Sequence, residues 1–218
     1  MASNLSLSKY SSLIRSLPYD EQAFETKKAT WKGYFKSHKS FFDEHFDSDT
    51  LFLSRNDLFK ETASYKNFHH AVFKVILWGY PRNMIEDPFK KLLHDSDNLK
   101  FLQEHISPNK NFCFDDFDFL FQNMKGIRLA TLSKILYFFN NKIENNQCLI
   151  LDSKIIYVLD NAIFCELEHL QHSVSNTSRF YLTYLESIKT IASAENYKPD
   201  QLELFLFMFG KNLKSTLA

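Results

Sequence analysis

The stretch "MKGIRLATLSKILYFFNNKIENNQCLILDSKIIYVL", Met124 to Leu159, gathers the residues whose types and spacing best suit chemistry. Gly126, one of four glycines in the chain, sits in a "KGI" turn between "FLFQNM" and "LATLSKILYFF", both helix-forming runs. A glycine lets the backbone turn sharply and leaves the following amides, Ile127 to Ala130, unshielded at a helix N-terminus. Unpaired N–H groups and the positive end of a helix dipole suit a phosphate. Lys125, Arg128, Lys134, Lys142 and Lys154 add the local basic excess that contact with a nucleic-acid backbone needs. Further on, the apolar run Leu149, Ile150, Leu151 ends in a carboxylate, Asp152, ahead of Ile155, Val158 and Leu159. Asp is a favoured N-cap, worth about 1 kcal/mol. A fixed carboxylate also suits glycoside cleavage, where it stabilises positive charge on the sugar or orients water. The two roles are compatible in one residue.

Together these residues resemble the helix-hairpin-helix DNA glycosylases. "KGIRLATLSKIL" is similar to the hairpin of that superfamily, and "LILDSKIIYVL" to its aspartate segment. The branch that looks nearest is the bacterial proteins with an 8-oxoguanine DNA glycosylase-like fold, to which "AVFKVILWGY" and "LELFLFMFGK" also bear a looser likeness. The good match covers about 35 residues of the 218, and with its flanks spans 54–211. The resemblance implies an all-α domain, residues 1–218 as one unit of two helical lobes around a cleft, with the helix-hairpin-helix at about 115–140. It implies an N-glycosidase that excises a damaged or modified base from DNA, in base excision repair or in defence against modified phage DNA. Asp152 would act at the anomeric carbon, and Lys125, Gly126, Arg128 and Ala130 would hold the DNA backbone. Trp78 and Tyr80 would wall the pocket for an extruded base, since such enzymes hold the base against aromatic faces; the alternative for both is packing at a helix end. Two departures matter. Arg128 stands where the hairpin has its second glycine, and Ala130 stands where bifunctional members carry a nucleophilic lysine. The second implies a monofunctional enzyme. Lys134 remains the open exception: it lies one helical turn beyond Ala130 on the same face, 18 residues before Asp152. The opposing reading of Lys134 is a solvated helix lysine. Two other classes stay open: a catalytically inactive helix-hairpin-helix DNA-binding module, and a helical interaction domain without nucleic acid.

The elements that must position these residues read as helices. Residues 5–16 form an amphipathic pattern ended by Pro18, and residues 20–46 read as helix interrupted near Gly33. Ser54 can cap "RNDLFKETA". In residues 65–80, Phe68, Ala71, Val72, Val75 and Ile76 share a face, and Gly79 with Pro81 marks the stop. Two short helices are expected within 87–106 and another over 115–124. Leu129, Leu132, Ile135, Leu136 and Phe139 repeat the helical spacing, followed by a polar connection over 140–147. Residues 176–194 and 200–209 supply the last helices, the latter opened by an Asp200/Glu203 capping box and closed by Gly210.

Composition agrees. Glycine (4) and proline (5) are scarce and phenylalanine (23) abundant, which favours helices over a turn-rich β architecture. Lysine plus arginine and aspartate plus glutamate both number 26, so binding to nucleic acid must rest on a local cluster rather than bulk charge. The neutral balance is the main support for the interaction-domain reading. Cys113, Cys148 and Cys165 lack CxxC spacing and read as buried reduced thiols of a cytoplasmic protein. His69 and His70 lack further ligands at metal spacing, so neither metal nor cofactor is expected. Arg55 and Arg82 could touch phosphate or a base edge but read more simply as surface or structural arginines. Neither a signal peptide nor a membrane span is expected, and the chain reads as a monomer.

Overall fold

The computed structural model describes residues 5–34, 39–46, 48–64, 66–82, 92, 96–124, 127–171 and 177–213. After a 3-10 turn at Leu7–Tyr10 come α1 (Ser11–Ser16), β1 (Ala23–Lys27), α2 (Lys28–Trp31), α3 (Lys39–His45) and β2 (Thr50–Ser54). Next are α4 (Arg55–Ser64), α5 (Phe68–Gly79), α6 (Ser96–His105), β3 (Asn111–Phe112), α7 (Phe114–Asn123) and α8 (Leu129–Phe138). The chain closes through β4 (Lys142–Ile143), β5 (Asn146–Gln147), α9 (Ser153–Asp160), a 3-10 segment at Cys165–Leu170, α10 (Ser178–Glu195) and α11 (Pro199–Met208). The all-α expectation stands: helices dominate and the sheets are small.

Two stretches differ from the sequence expectation. The first helix of 20–46 is replaced by β1, which pairs antiparallel with β2 from Ala23↔Ser54 to Lys27↔Thr50. Along β1, Thr26 is buried while Glu25 and Lys27 are exposed. That two-residue period takes over because "TLFLS" offers a strand partner that the helix formers Ala, Glu and Lys cannot reveal locally. The polar connection after α8 is a tight hairpin. Glu144 and Asn145 both take positive φ (50° and 61°), the two-residue turn that suits strand twist, and β4 pairs with β5 and β3.

Caps follow the expected chemistry where local sequence decides. Asn67 accepts the His70 amide, Thr177 the Phe180 amide, and Ser54 and Asp57 bond reciprocally at the start of α4. The start of α11 is corrected. Pro199 occupies the first turn, and the Lys198 amide donates to Gln201 Oε1 at 2.9 Å. Asp200 and Glu203 are instead buried, pointing into the core rather than capping.

The core is a continuous apolar cluster running from Leu7 to Leu206. Within it α8 is buried almost all round, including Thr131, Ser133 and Lys134, so it is a central helix rather than a surface one. The cysteine expectation holds in part: all three are free, but only Cys148 is buried, and Cys113 and Cys165 are exposed. No helix among the described residues is long and apolar enough to cross a membrane.

Gly210 follows α11 because α9 packs there. A Cβ at this position would lie 2.6 Å from Val158 Cγ2. Val158 is β-branched and cannot turn aside within a helix at little cost. Gly210→Ala is expected to destabilise the fold by about 1–3 kcal/mol, read as a lower urea midpoint at unchanged slope. An unchanged midpoint would show that α9 and α11 can part freely.

Candidate active site

The positioning of Asp152 begins with backbone. The run Leu149–Leu151 is buried and extended, so its polar groups need protein partners. Tyr181 and Tyr184 of α10 donate their hydroxyls to the carbonyls of Leu149 (2.7 Å) and Ile150 (3.1 Å), and Leu151 N donates to Ser133 Oγ of α8 at 3.1 Å. The next residue, Asp152, is thereby delivered to the N-terminus of α9. Its Oδ1 accepts from Lys154 N (2.9 Å) and Ile155 N (3.1 Å). Its Oδ2 makes no hydrogen bond to another described residue. Asp152 is half-buried and lines a cavity of about 400 Å³. Cap and cavity residue are one and the same.

Lys134 lines that cavity too. The expectation of a solvated helix lysine is corrected: Lys134 is 5 % exposed. Its Nζ donates to Ala130 O at 2.9 Å and lies 4.9 Å from the centre of the Tyr80 ring. Among the described residues no carboxylate pairs with it within 4 Å. Gly79 makes the space, since a Cβ there would meet Lys134 Cδ at 2.6 Å. Tyr80 is fixed in turn by a 2.8 Å bond between its hydroxyl and Thr131 Oγ1. Trp78 is buried at the end of α5 and also borders the cavity.

The floor is a buried charge pair that the spacing of residues along the chain did not disclose. Arg55 Nη1 lies 2.7 Å from Glu203 Oε2, both side chains 1 % exposed. Arg55 Nε donates to Gln22 Oε1, and Nη1 also donates to Tyr137 Oη, which donates to Asp200 Oδ1. Gln147 Nε2 donates to both Asp200 oxygens. The guanidinium packs against the rings of Trp78 (5.4 Å) and Tyr137 (5.1 Å). Arg55 is therefore structural, as one expectation had it, yet it also borders the site. Burial pushes the Glu203 carboxyl up to about 7, with Arg55 pulling the other way. For Arg55, burial acts to loosen the proton, but the charges of Glu203 and Tyr137 and the hydrogen bonds to both together outweigh it, and its affinity for the proton rises. Glu203 Oε1 and Trp78 Nε1 are buried without hydrogen-bond partners among the described residues.

Around the mouth stand exposed Arg82 and Lys154, the latter with Nζ 4.1 Å from the centre of the Phe207 ring. Phe24 of β1 packs on Trp78 with ring centres 5.1 Å apart. Gln22, Phe24, Glu203 and Phe207 were not among the expected pocket residues, and Arg55 was expected either at a phosphate or base edge or as a surface or structural arginine. All five reach the cavity from three separate stretches of chain, and a buried arginine has no local signature. Arg128 is exposed at the N-cap of α8, its carbonyl accepting from Thr131 N and Leu132 N, and Ala130 follows in the first turn. Lys125 and Gly126 lie outside the described residues. The Ile127 amide, expected to face a phosphate, is directed to Met124 O at 3.4 Å. The fold thus unites Asp152, Lys134, Trp78 and Tyr80, and leaves Arg128 on the exposed approach to α8.

A family model described as "Putative 8-oxoguanine DNA glycosylase OGG-like protein" matches residues 17–207. No curated protein and no solved structure matches the chain.

The raised Glu203 carboxyl has a consequence for stability. Between its ordinary value of 4.5 and about 7, the folded chain keeps a proton that the unfolded chain has released. Stability contributed by this group therefore falls as pH rises through that window. Glu203→Gln cannot ionise. The unfolding free energy of the variant minus that of the parent is expected to climb with pH from 4.5 to 7, measured by urea titration at each pH. A flat difference would contradict the raised value.

Proposed function

Because the chain belongs to the 8-oxoguanine DNA glycosylase OGG-like family, we propose that it is a DNA N-glycosylase that breaks the bond between a damaged or modified base and deoxyribose. Its place is base excision repair or defence against phage DNA with modified bases. The observation that carries this reading is the convergence of Asp152 and Lys134 with Trp78 and Tyr80 on one cavity. A base must leave the duplex stack to be cleaved, and aromatic walls repay the lost stacking. Trp78, Tyr80, Phe24 and Phe207 offer such walls, and about 400 Å³ lies in the range of small-ligand pockets. Arg82 and Lys154 at the mouth, with Arg128 at the start of α8, suit the phosphates on either side.

As the glycosidic bond lengthens, positive charge gathers on the sugar at C1′. Asp152 is oriented by its two amide bonds through Oδ1, which leaves Oδ2 to face that charge. The carboxylate stabilises the cation and orients the attacking group. Asp152→Asn keeps an oxygen for the cap and loses the charge. It is expected to slow base release by roughly 10²–10⁴-fold with DNA affinity nearly unchanged, measured in single turnover on duplexes bearing a panel of modified bases. Full activity in this variant sinks the assignment, and binding without release by the parent across the panel favours an inactive DNA-binding module.

Burial of Lys134 in the same cavity favours a second reading, in which its amine is the attacking group. The Nζ lone pair would form a bond to C1′ as the base departs with the bonding electrons. Loss of a proton and opening of the sugar would then give an imine. Borohydride reduces an imine to a stable amine, so a covalent protein–DNA adduct is the expected product, lost in Lys134→Ala and retained in Lys154→Ala. Base release without a trapped adduct would return the reaction to hydrolysis directed by Asp152.

A further inference from the structure

His70 sits in the first turn of α5, and Glu44 and His45 end α3. The fold brings the three together from stretches 25 residues apart in the chain. His45 Nε2 lies 3.9 Å from Glu44 Oε1, and His70 Nδ1 lies 3.7 Å from Glu44 Oε2. These separations are longer than a hydrogen bond. One donor atom from each residue falls within 4.8 Å of the other two. A point therefore exists within about 2.8 Å of all three donor atoms, the largest spacing divided by √3, close enough for the side chains to close onto a zinc ion.

We propose that Glu44, His45 and His70 bind a divalent cation of the zinc class. Two imidazoles and one carboxylate suit zinc better than magnesium or calcium, which prefer all-oxygen sets. Three protein ligands leave a fourth position for water. The Glu44 side chain is 62 % exposed, so a hydrated ion enters from solvent without opening the fold. The ion would staple α3, whose Phe42 ring lies 4.9 Å from that of Phe46 just beyond it, to the helix that ends in Trp78 and Gly79. An ion that binds only the folded chain stabilises it by mass action. The site is independent of the base-excision reading.

The test is calorimetric titration of the full chain with zinc chloride and, separately, magnesium chloride, with the thermal midpoint recorded at each end point. One zinc per chain, a raised midpoint and no response to magnesium are expected. Glu44→Gln and His70→Ala are each expected to weaken zinc binding by about tenfold or more. Glu44 is exposed, so its variant keeps the fold and the loss reports on the ligand. Cobalt substituted at the site should give an absorption band typical of a four-coordinate centre, lost in His70→Ala. No zinc uptake up to about 100 μM, where a useful site would already be filled, overturns the proposal. Equal affinity in parent and Glu44→Gln does the same.

Discussion

A guanidinium taken out of water must find its partners inside the protein, and Arg55 sets the terms for what surrounds it. Glu203 of α11 and Tyr137 of α8 share its Nη1, Gln22 ahead of β1 holds its Nε, and the Trp78 and Tyr137 rings cover its faces. Desolvating such an ion costs several kcal/mol, and removing one partner from a buried pair typically costs about 3–5 kcal/mol. The angles among α4, α8 and α11 are therefore constrained by hydrogen-bond geometry as well as by apolar packing. This node is also the floor of the cavity, so the stability of the core and the shape of the site answer to the same contacts.

A second constraint acts on the backbone. The buried strap Leu149–Leu151 would carry unsatisfied amides and carbonyls if Ser133, Tyr181 and Tyr184 did not meet them. Ser133 and Lys134 are neighbours on α8, so the residue that anchors the strap adjoins the one that reaches into the cavity. Gly79 and Tyr80 complete the arrangement from α5 by giving Lys134 room and a ring face. A carboxylate and an amine on separate elements thereby share one small space.

Family membership and chemistry are separate matters, since a fold hosts many functions and the site must be argued on its own residues. Ala130 in place of a hairpin lysine pointed to water as the attacking group. Lys134, buried one turn later on the same helix face and lining the cavity, is the amine that the second proposed reading would use instead.

The sequence by itself determined the helical class, most helix boundaries, the caps at Ser54 and Asp152, and the pairing of Asp152 with an apolar run ahead of it. These are local matters, carried by periodicity and capping chemistry. Tertiary structure decided the rest. Residues 23–27 became a strand because their partner lies 23 to 31 residues further along at 50–54, beyond any local signal. Asp200 and Glu203 look like a capping box, but Pro199 sets the start of the helix, and the buried Arg55 and Tyr137 claim the two carboxylates. The burial of Lys134 was half legible, since a lysine amid "ATLSKILYFF" interrupts an otherwise apolar helix. Whether such a lysine snorkels to water or turns inward depends on what stands opposite it. Here a glycine and a tyrosine on another helix decided it, and only the folded chain brings them there.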